Sequence, residues 1–166
     1  DKTIIFFYSD HGGPFPRYKR SIYDSGLKCP LIIKWTEPKI KPRNDQMISF
    51  IDLAPTILEL TKSHTIHKME GVSFYNQNNR DYIFAATDRF DEFTDKRRCV
   101  RNNEFKLIIN WDTKSSAMKP VSYRKNMKTM RILDSLNDLK KNTNSMENWY
   151  KNTKPKYELY DIVNDP

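Results

Sequence analysis

The stretch that decides the fold is Thr3-Ile4-Ile5-Phe6-Phe7-Tyr8-Ser9-Asp10-His11-Gly12-Gly13. Its first six residues form an almost unbroken apolar run, which predicts a buried β-strand, and the lack of alternation favours a parallel neighbour. Asp10, His11 and two glycines follow where the strand must end, and Pro14 and Pro16 mark a loop. Because ligand sites of open α/β sheets form at the carboxyl ends of strands, Asp10 and His11 become candidate site residues.

The residues that follow continue an α/β pattern. Residues 30–35 form a second short apolar run, which predicts another buried strand. Apolar residues at helical spacing within 47–60 predict a helix, with Asp52 as N-cap and Pro55 harmless in the first turn. Residues 1–75 therefore look like the end of an α/β domain.

A different pattern begins after a linker at 61–80, which is rich in asparagine and serine. Residues 81–166 contain short strand-like segments and a helical stripe of methionine and leucine. They predict a small antiparallel sheet with at least one helix, and Asn102-Asn103 signals a hairpin turn. The predicted strands are 81–87, 97–101, 105–111 and 157–162, and the stripe is Met127, Met130, Leu133 and Leu136.

Composition narrows the class of protein. The chain has 166 residues, about one domain by length, and its 37% hydrophobic residues supply enough apolar material for a core, which excludes full disorder. No apolar run approaches the roughly 18 residues of a membrane-spanning helix, so no span is predicted. The first residues carry no signal-peptide pattern and both ends look internal, so we expect a fragment of a longer protein.

The net charge of +8 is concentrated in one stretch. Residues 96–131 contain eleven lysines and arginines and only two acidic residues. This pattern is typical of a solvated basic face, and it also fits nucleic acid or a sulfated or phosphorylated glycan, because Coulomb attraction does not distinguish polyanions. The stretch lacks the aromatic pattern of RNA-binding domains, the spacing of zinc fingers and a clear helix-turn-helix signal. A glycan is therefore a better candidate partner than nucleic acid.

The Asp10-His11 pair has the chemistry of a metal site. A carboxylate supplies negative charge, an imidazole supplies a neutral nitrogen donor, and the adjacent glycines let the backbone pass close by. Taken alone, Asp-His-Gly is also typical of a surface turn. Arg17 could contact an anionic group or cap the loop, and Asp88 with Arg89 could face a substrate or form a surface ion pair.

Five motifs occur along the chain in an order that resembles one enzyme family. They are Ser-Asp-His-Gly at 9–12, Lys-x3-Tyr-Asp-x-Gly-x3-Pro at 19–30, Asp-Leu-Ala-Pro-Thr at 52–56, Glu-Gly-Val-Ser at 70–73 and Glu-Leu-Tyr-Asp-Ile-Val-Asn-Asp-Pro at 158–166. Together they resemble the C-terminal half of a type I, formylglycine-dependent sulfatase of the alkaline phosphatase superfamily. Within that family the chain looks nearest to the heparan N-sulfatase-like and bacterial glycan-sulfatase branch.

The resemblance implies that residues 1–75 are the C-terminal portion of an α/β catalytic domain with an alkaline-phosphatase-like mixed sheet. Residues 81–166 would be a small, truncated antiparallel subdomain with a helix. Asp10 and His11 match late ligands of a Ca²⁺ ion, with Mg²⁺ or another divalent ion left open because calcium prefers oxygen donors. Lys19 matches the lysine that contacts the sulfate and stabilises charge during transfer. The implied substrate is a sulfated glycan or other sulfate ester. The parent protein is expected to be periplasmic or secreted. No nucleic-acid partner is expected.

Two elements of the family pattern are missing from the sequence. The formylglycine motif, Cys/Ser-x-Pro/Ala-x-Arg, does not occur, since Cys29 and the residues after it lack both the spacing and the arginine. The paired aspartate ligands of the family do not occur either. Both are expected upstream, so we expect residues 1–166 alone to be catalytically inactive. Two alternatives stay open: a phosphohydrolase or phosphodiesterase of the same superfamily, and a non-catalytic basic module that binds polyanions.

Overall fold

Two antiparallel sheets form within residues 3–35, 45–75 and 80–164, which are the ranges that the computed structural model describes. This α/β content agrees with the predicted fold class, and no helix in these ranges is long and apolar enough to cross a membrane. The strands are β1 (Ile5–Tyr8), β2 (Leu31–Lys34), β3 (Ile83–Phe90), β4 (Phe93–Arg101), β5 (Phe105–Asn110) and β6 (Tyr157–Asp161). The helices are α1 (Asp24–Leu27), α2 (Leu53–Leu60), α3 (Ser122–Lys125), α4 (Lys128–Asp138) and α5 (Asn144–Tyr150).

The prediction that residues 3–8 form a buried strand with a parallel neighbour is wrong for the described residues, and so is the predicted burial of the second strand. β1 pairs with β2 in antiparallel register. Phe7 and Ile32 on these strands are 66% and 62% exposed. An unbroken apolar run indicates that both faces of a strand need cover, but it contains no information on the direction of the neighbouring strand.

The predicted helix at 47–60 forms in its second half, after a short 3₁₀ turn. Asp52 occupies the N-cap position of α2 as predicted, but its carboxylate does not cap that helix. It accepts hydrogen bonds from the N–H groups of Ser49 at 2.9 Å and Val72 at 2.8 Å. The Arg80 guanidinium donates to the same carboxylate, from Nε at 2.7 Å and also from Nη2. Asp52 therefore ties the start of α2 to the loop that follows it.

Acid is expected to weaken this tie. Although burial raises the pKa of Asp52, hydrogen bonds from Arg80 and from two backbone N–H groups outweigh it and hold the pKa below its ordinary value of 3.8. A carboxyl group of this kind stabilises the fold above its unfolded-state pKa, and the contribution is lost as the pH falls through the folded-state pKa. We therefore expect Asp52→Asn to be less stable than the wild type near neutral pH, with a difference that shrinks between roughly pH 5 and pH 2.

Urea unfolding of both proteins over this pH series measures the difference in free energy of unfolding. Asp88→Asn is the matched control, because the Asp88 side chain is 65% exposed and its pair with Arg98 should contribute little at any pH. A deficit for Asp52→Asn that stays constant down to the lowest pH would contradict the depressed pKa.

The second sheet is antiparallel, as predicted, with strand order β3-β4-β5-β6. The turn at Asn102-Asn103 joins β4 to β5 and confirms the hairpin, and the Asn102 side chain accepts two backbone N–H groups within the turn. β3 and β4 run past their predicted limits, through a register shift between Thr87 and Arg89. The methionine–leucine stripe forms α4.

The core lies between the inner face of this sheet and the segment before α1. Ile22 and Tyr23 pack with Cys99 and Ile108, and Ile108 is fully buried. The same inner face carries polar and charged side chains, because alternate residues of a strand point to one face. Those that are no more than 3% exposed are Asp95, Arg97, Lys106 and Asn110.

An ionic cluster adds to this contact between the two predicted regions of the chain. Asp24 of α1 accepts hydrogen bonds from Lys106 Nζ at 2.8 Å and from Arg101 Nε at 3.0 Å. In the predicted division, the aspartate falls within residues 1–75, and its two partners fall within residues 81–166. That division stays a prediction, but the described residues of the two regions share one core.

Candidate functional site

Asp10 and His11 lie where β1 ends, in a loop that folds against α1. The Gly12 N–H donates to the Gly26 carbonyl oxygen at 3.0 Å. A Cβ atom at Gly12 would lie 2.0 Å from the Ser25 carbonyl oxygen, so only glycine permits this approach. The glycine after the pair therefore sets the path of the loop along α1.

The two side chains, which we term the candidate metal pair, converge on one point. His11 Nε2 lies 3.5 Å from Asp10 Oδ1, and the Asp10 side chain is 82% exposed. His11 Nδ1 lies 2.7 Å from the Gly12 carbonyl oxygen, and we assign the proton to Nδ1 because a carbonyl needs a donor. Nε2 then presents a lone pair beside a carboxylate oxygen, an arrangement that a shared cation would stabilise. The pair therefore fits two ligands of a divalent ion.

The candidate metal pair supplies only two of the ligands that a divalent cation needs. The described ranges contain no group of three or more His, Cys, Asp or Glu side chains that could surround a metal ion. Hard divalent cations such as calcium take six to eight oxygen ligands. Further ligands are thus needed beyond Asp10 and His11.

Lys19 lies on a tightly turned loop that continues from this pair. Its N–H donates to the Gly13 carbonyl oxygen at 3.0 Å. Arg17 and Arg20, on either side, have φ angles of 62° and 68°, in the left-handed region that non-glycine residues seldom occupy. Such backbone strain is concentrated at functional sites and persists where other contacts hold it. The half-buried Lys19 side chain has no hydrogen-bond or ion-pair partner among the described residues, which leaves its ammonium group available to a ligand.

The contacts that hold this loop come from the second half of the chain. Arg124 of α3 is 3% exposed and donates from Nη2 to the Lys19 carbonyl oxygen at 2.6 Å. Arg20 forms an ion pair with Asp91 in the β3–β4 turn. Sequence reasoning missed Arg124 because no local pattern links two residues 105 positions apart. Arg124 therefore positions the backbone that carries Lys19.

The three predicted substrate contacts lie in different surroundings. The Arg17 guanidinium stacks on the Tyr23 ring, 4.5 Å from its centroid. Asp88 forms an exposed ion pair with Arg98 at 2.9 Å, and Arg89 follows it near the end of β3. No contact between described residues joins these three side chains to the candidate metal pair. Their contact with a substrate stays a prediction.

The interpretation of 96–131 as a solvated basic face is wrong for part of the stretch. Four of its eleven cations are 2–5% exposed, and they lie inside the molecule rather than on its surface. A polyanion-binding surface on this stretch would lack those four charges. They are Arg97, Lys106, Lys119 and Arg124.

Known proteins resemble this chain over nearly all of its length. Residues 13–158 match the family model described as N-sulphoglucosamine sulphohydrolase, C-terminal. The whole chain is 42% identical to 28% of an ulvan-active sulfatase from Formosa agariphila. It is 27% identical, over 99% of its length, to 36% of the N-sulphoglucosamine sulphohydrolase of Homo sapiens. The chain thus spans about a third of the length of these curated relatives.

Solved structures share the fold. A protein in complex with its substrate D-glucosamine-2-N,6-O-disulfate matches 96% of this chain with 27% of its own, at a TM-score of 0.52 and 17% identity. A 2-O GAG sulfatase matches 82% of this chain with 36% of its own, at a TM-score of 0.54 and 19% identity. At these identities the likeness concerns the fold alone, and it confirms the predicted fold class.

Proposed function

Because this chain belongs to the sulfatase family whose C-terminal region the N-sulphoglucosamine sulphohydrolase model describes, we propose that the protein hydrolyses sulfate groups on a glycan. The observation that best supports this activity is the placement of three groups on one loop. Asp10 and His11 converge at its start, and Lys19 lies further along it with an ammonium group that no described residue pairs. Metal ligands and an unpaired cation on the same loop suit an anionic group such as sulfate.

Asp10 and His11 are proposed as ligands of a divalent cation, calcium first and magnesium second. A bound ion of this kind would supply a fixed double positive charge that polarises the sulfate. Asp10 provides the negative charge that retains the ion. His11 is oriented by its hydrogen bond to the Gly12 carbonyl oxygen, which leaves the lone pair of Nε2 available to the metal ion.

Lys19 is proposed to bind a sulfate oxygen and to stabilise the negative charge that develops as the sulfate is transferred. A preorganised cation lowers a barrier because it does not have to reorient during the reaction. The bond from Arg124 to the Lys19 carbonyl oxygen fixes the backbone from which this cation extends. We propose that the formylglycine nucleophile of the family is supplied by the full-length protein.

The substrate is proposed to be a sulfated polysaccharide or its oligosaccharides. The relative with 42% identity is named for activity on ulvan, and another solved relative is bound to a disulfated glucosamine. Glycans of this kind lie outside the cytosol, so the protein is proposed to be periplasmic or secreted. Arg17, Asp88 and Arg89 remain proposed substrate contacts, since the β3–β4 turn that follows the last two reaches the Lys19 loop through Asp91.

Lys19→Ala in the full-length protein is expected to lower kcat/KM for desulfation about 10²-fold, because one fixed cation at the developing charge is lost. Ion chromatography of sulfate released from ulvan oligosaccharides and from N-sulfated and 6-O-sulfated glucosamine measures the rate. Lys28→Ala is the matched control, because Lys28 is an exposed lysine directly after α1 and its removal should leave the rate unchanged.

Equal rates for Lys19→Ala and the wild type would remove Lys19 from the site. Zinc-dependent release of phosphate from phosphoesters, with no sulfate released from any of the sugars, would identify a phosphohydrolase instead. Heparin binding without turnover of any ester would favour a non-catalytic basic module, and its affinity should then fall steeply with salt.

A further inference from the structure

A small cavity lies beside the Lys19 loop, at the centre of a cluster of arginines. Its volume is about 10 Å³, which is room for about one water-sized particle. The apolar side chains of Ile22, Phe90 and Trp149 line part of it. The charged residues that line it are Arg17, Arg20, Arg97, Arg124 and Asp95.

Positive charge exceeds negative charge around this cavity. Asp95, 1% exposed, is the one acidic residue among the described residues that line it. Its Oδ2 lies 2.6 Å from Arg97 Nη2, and its Oδ1 lies 2.8 Å from Lys154 Nζ. Lys119 Nζ is a third cation, 3.9 Å from Oδ1. Burial is the main cause that lowers the pKa of Lys154, the charges of Arg97 and Lys119 add to it, and Asp95 opposes it.

Arg97 has a buried donor without an acceptor among the described residues. Its side chain is 4% exposed, and neither Nε nor Nη2 forms a hydrogen bond within the described ranges. Nη2 lies 2.6 Å from Asp95 Oδ2 and so has a charged partner, which leaves Nε as the donor that no described residue satisfies. Buried donors of charged groups are costly to leave unsatisfied, so an acceptor is expected next to them.

The other arginines of the lining are already engaged. Arg20 pairs with Asp91, and the Arg17 guanidinium stacks on a tyrosine ring. Arg124 donates to a backbone carbonyl oxygen, which carries no net charge. Of these three, Arg20 alone has a carboxylate partner among the described residues, so the pairs do not cancel the positive field in the cavity.

We propose that this cavity binds one small monovalent anion, chloride in ordinary solution, which accepts a hydrogen bond from Arg97 Nε and offsets the charge of the arginine lining. A water molecule would satisfy a donor but would not neutralise the charge, and a monatomic anion needs less room than a polyatomic oxyanion. The anion connects the Lys19 loop to β4 and α3, because those three elements supply the arginines. This site is separate from the candidate metal pair, and its occupancy does not depend on the proposed function.

Crystals of the full-length protein grown in sodium bromide test the site directly. Bromide replaces chloride and scatters anomalously, so the expected result is an anomalous difference peak inside the cavity, next to Arg97 Nε. A cavity that contains a water molecule or no peak in bromide would overturn the proposal. This readout uses the wild-type protein and does not require activity.

Thermal unfolding provides a second measurement in solution. The Tm of the wild type is expected to be about 2 °C higher in sodium chloride than in sodium gluconate at equal ionic strength, because the anion binds only the folded protein. Arg97→Gln should abolish this difference. Arg98→Gln, the matched control, should keep it, since Arg98 is the next residue of β4 and pairs with the exposed Asp88. Equal wild-type Tm values in the two salts would count against the site.

Discussion

Asp10→Ala in the full-length protein is expected to lower kcat for desulfation about 10³-fold and to remove the bound divalent cation. Asp10 is the charged member of the candidate metal pair, so its loss leaves one neutral nitrogen donor at the end of β1. A metal ion that stabilises transferred charge contributes several kcal/mol, and about 4 kcal/mol corresponds to three powers of ten in rate. Steady-state sulfate release measures the rate, and plasma mass spectrometry of the dialysed enzyme measures its calcium and magnesium.

His64→Ala is the control for this experiment, because His64 lies in the exposed loop 61–70. It should keep both the metal and the rate. Millimolar calcium should partly restore the rate of Asp10→Ala if the variant has lost affinity for the ion rather than its fold. An Asp10→Ala protein that retains stoichiometric metal would show that Asp10 is not a ligand, whatever its rate.

Asp24→Ala is expected to lower the free energy of unfolding by about 3–5 kcal/mol, because it leaves a buried cation without its partner. Lys106 is 2% exposed, and its Nζ lies 2.8 Å from Asp24 Oδ1. Burial raises the pKa of Asp24, but the hydrogen bond and charge of Lys106, together with Arg101, outweigh it and keep the pKa below its ordinary value. The carboxylate is therefore ionised in the folded protein at neutral pH and holds α1 against β4 and β5.

Urea unfolding of the variants measures this effect, with Asp88→Ala as the matched control. Asp88 also pairs with an arginine, but on the surface, so its removal should change stability by less than about 1 kcal/mol. Adding Lys106→Met to Asp24→Ala should recover some of the loss, because the fully buried ammonium group that lost its partner is then removed. Equal losses for Asp24→Ala and Asp88→Ala would show that the buried pair contributes no more than a surface pair.

These two substitutions separate the chemistry of the site from the framework beneath it. The loop with Asp10 packs on α1 through the bond from Gly12 to Gly26, and Asp24 begins the same helix. Asp24→Ala should therefore weaken both stability and activity. Asp10→Ala should change activity and metal content while leaving the unfolding of the metal-free protein nearly unaltered, because the Asp10 side chain is exposed.

Much of the second sheet could be predicted from the sequence because its signals are local. Asn102-Asn103 forms the hairpin turn, and the methionine–leucine stripe forms α4. The candidate metal pair is likewise local, since Asp10 and His11 are adjacent residues that end one strand. Gly71, in one of the motifs, also has a structural reason: a Cβ there would lie 1.8 Å from the Ile51 carbonyl oxygen.

Predictions that depend on residues far apart in the sequence were less accurate. The apolar run of β1 indicates a need for burial, whereas its antiparallel direction depends on β2. The lysines and arginines of 96–131 were expected on a surface, since isolated charges favour water. Arg97 and Lys106 are buried because strand alternation turns them inward, where Asp95 and Asp24 meet them.

The sequence by itself determined where the strands, the hairpin and the α4 helix lie, and it placed a carboxylate, an imidazole and a lysine along one loop. Tertiary structure alone decided the direction of β1 relative to β2, the burial of four cations and the hydrogen bond from Arg124 to the Lys19 carbonyl oxygen. The physical reason is the range of the interactions. Turn chemistry and periodicity act between near neighbours in the chain, whereas ion pairs and strand pairing depend on groups that only folding brings together.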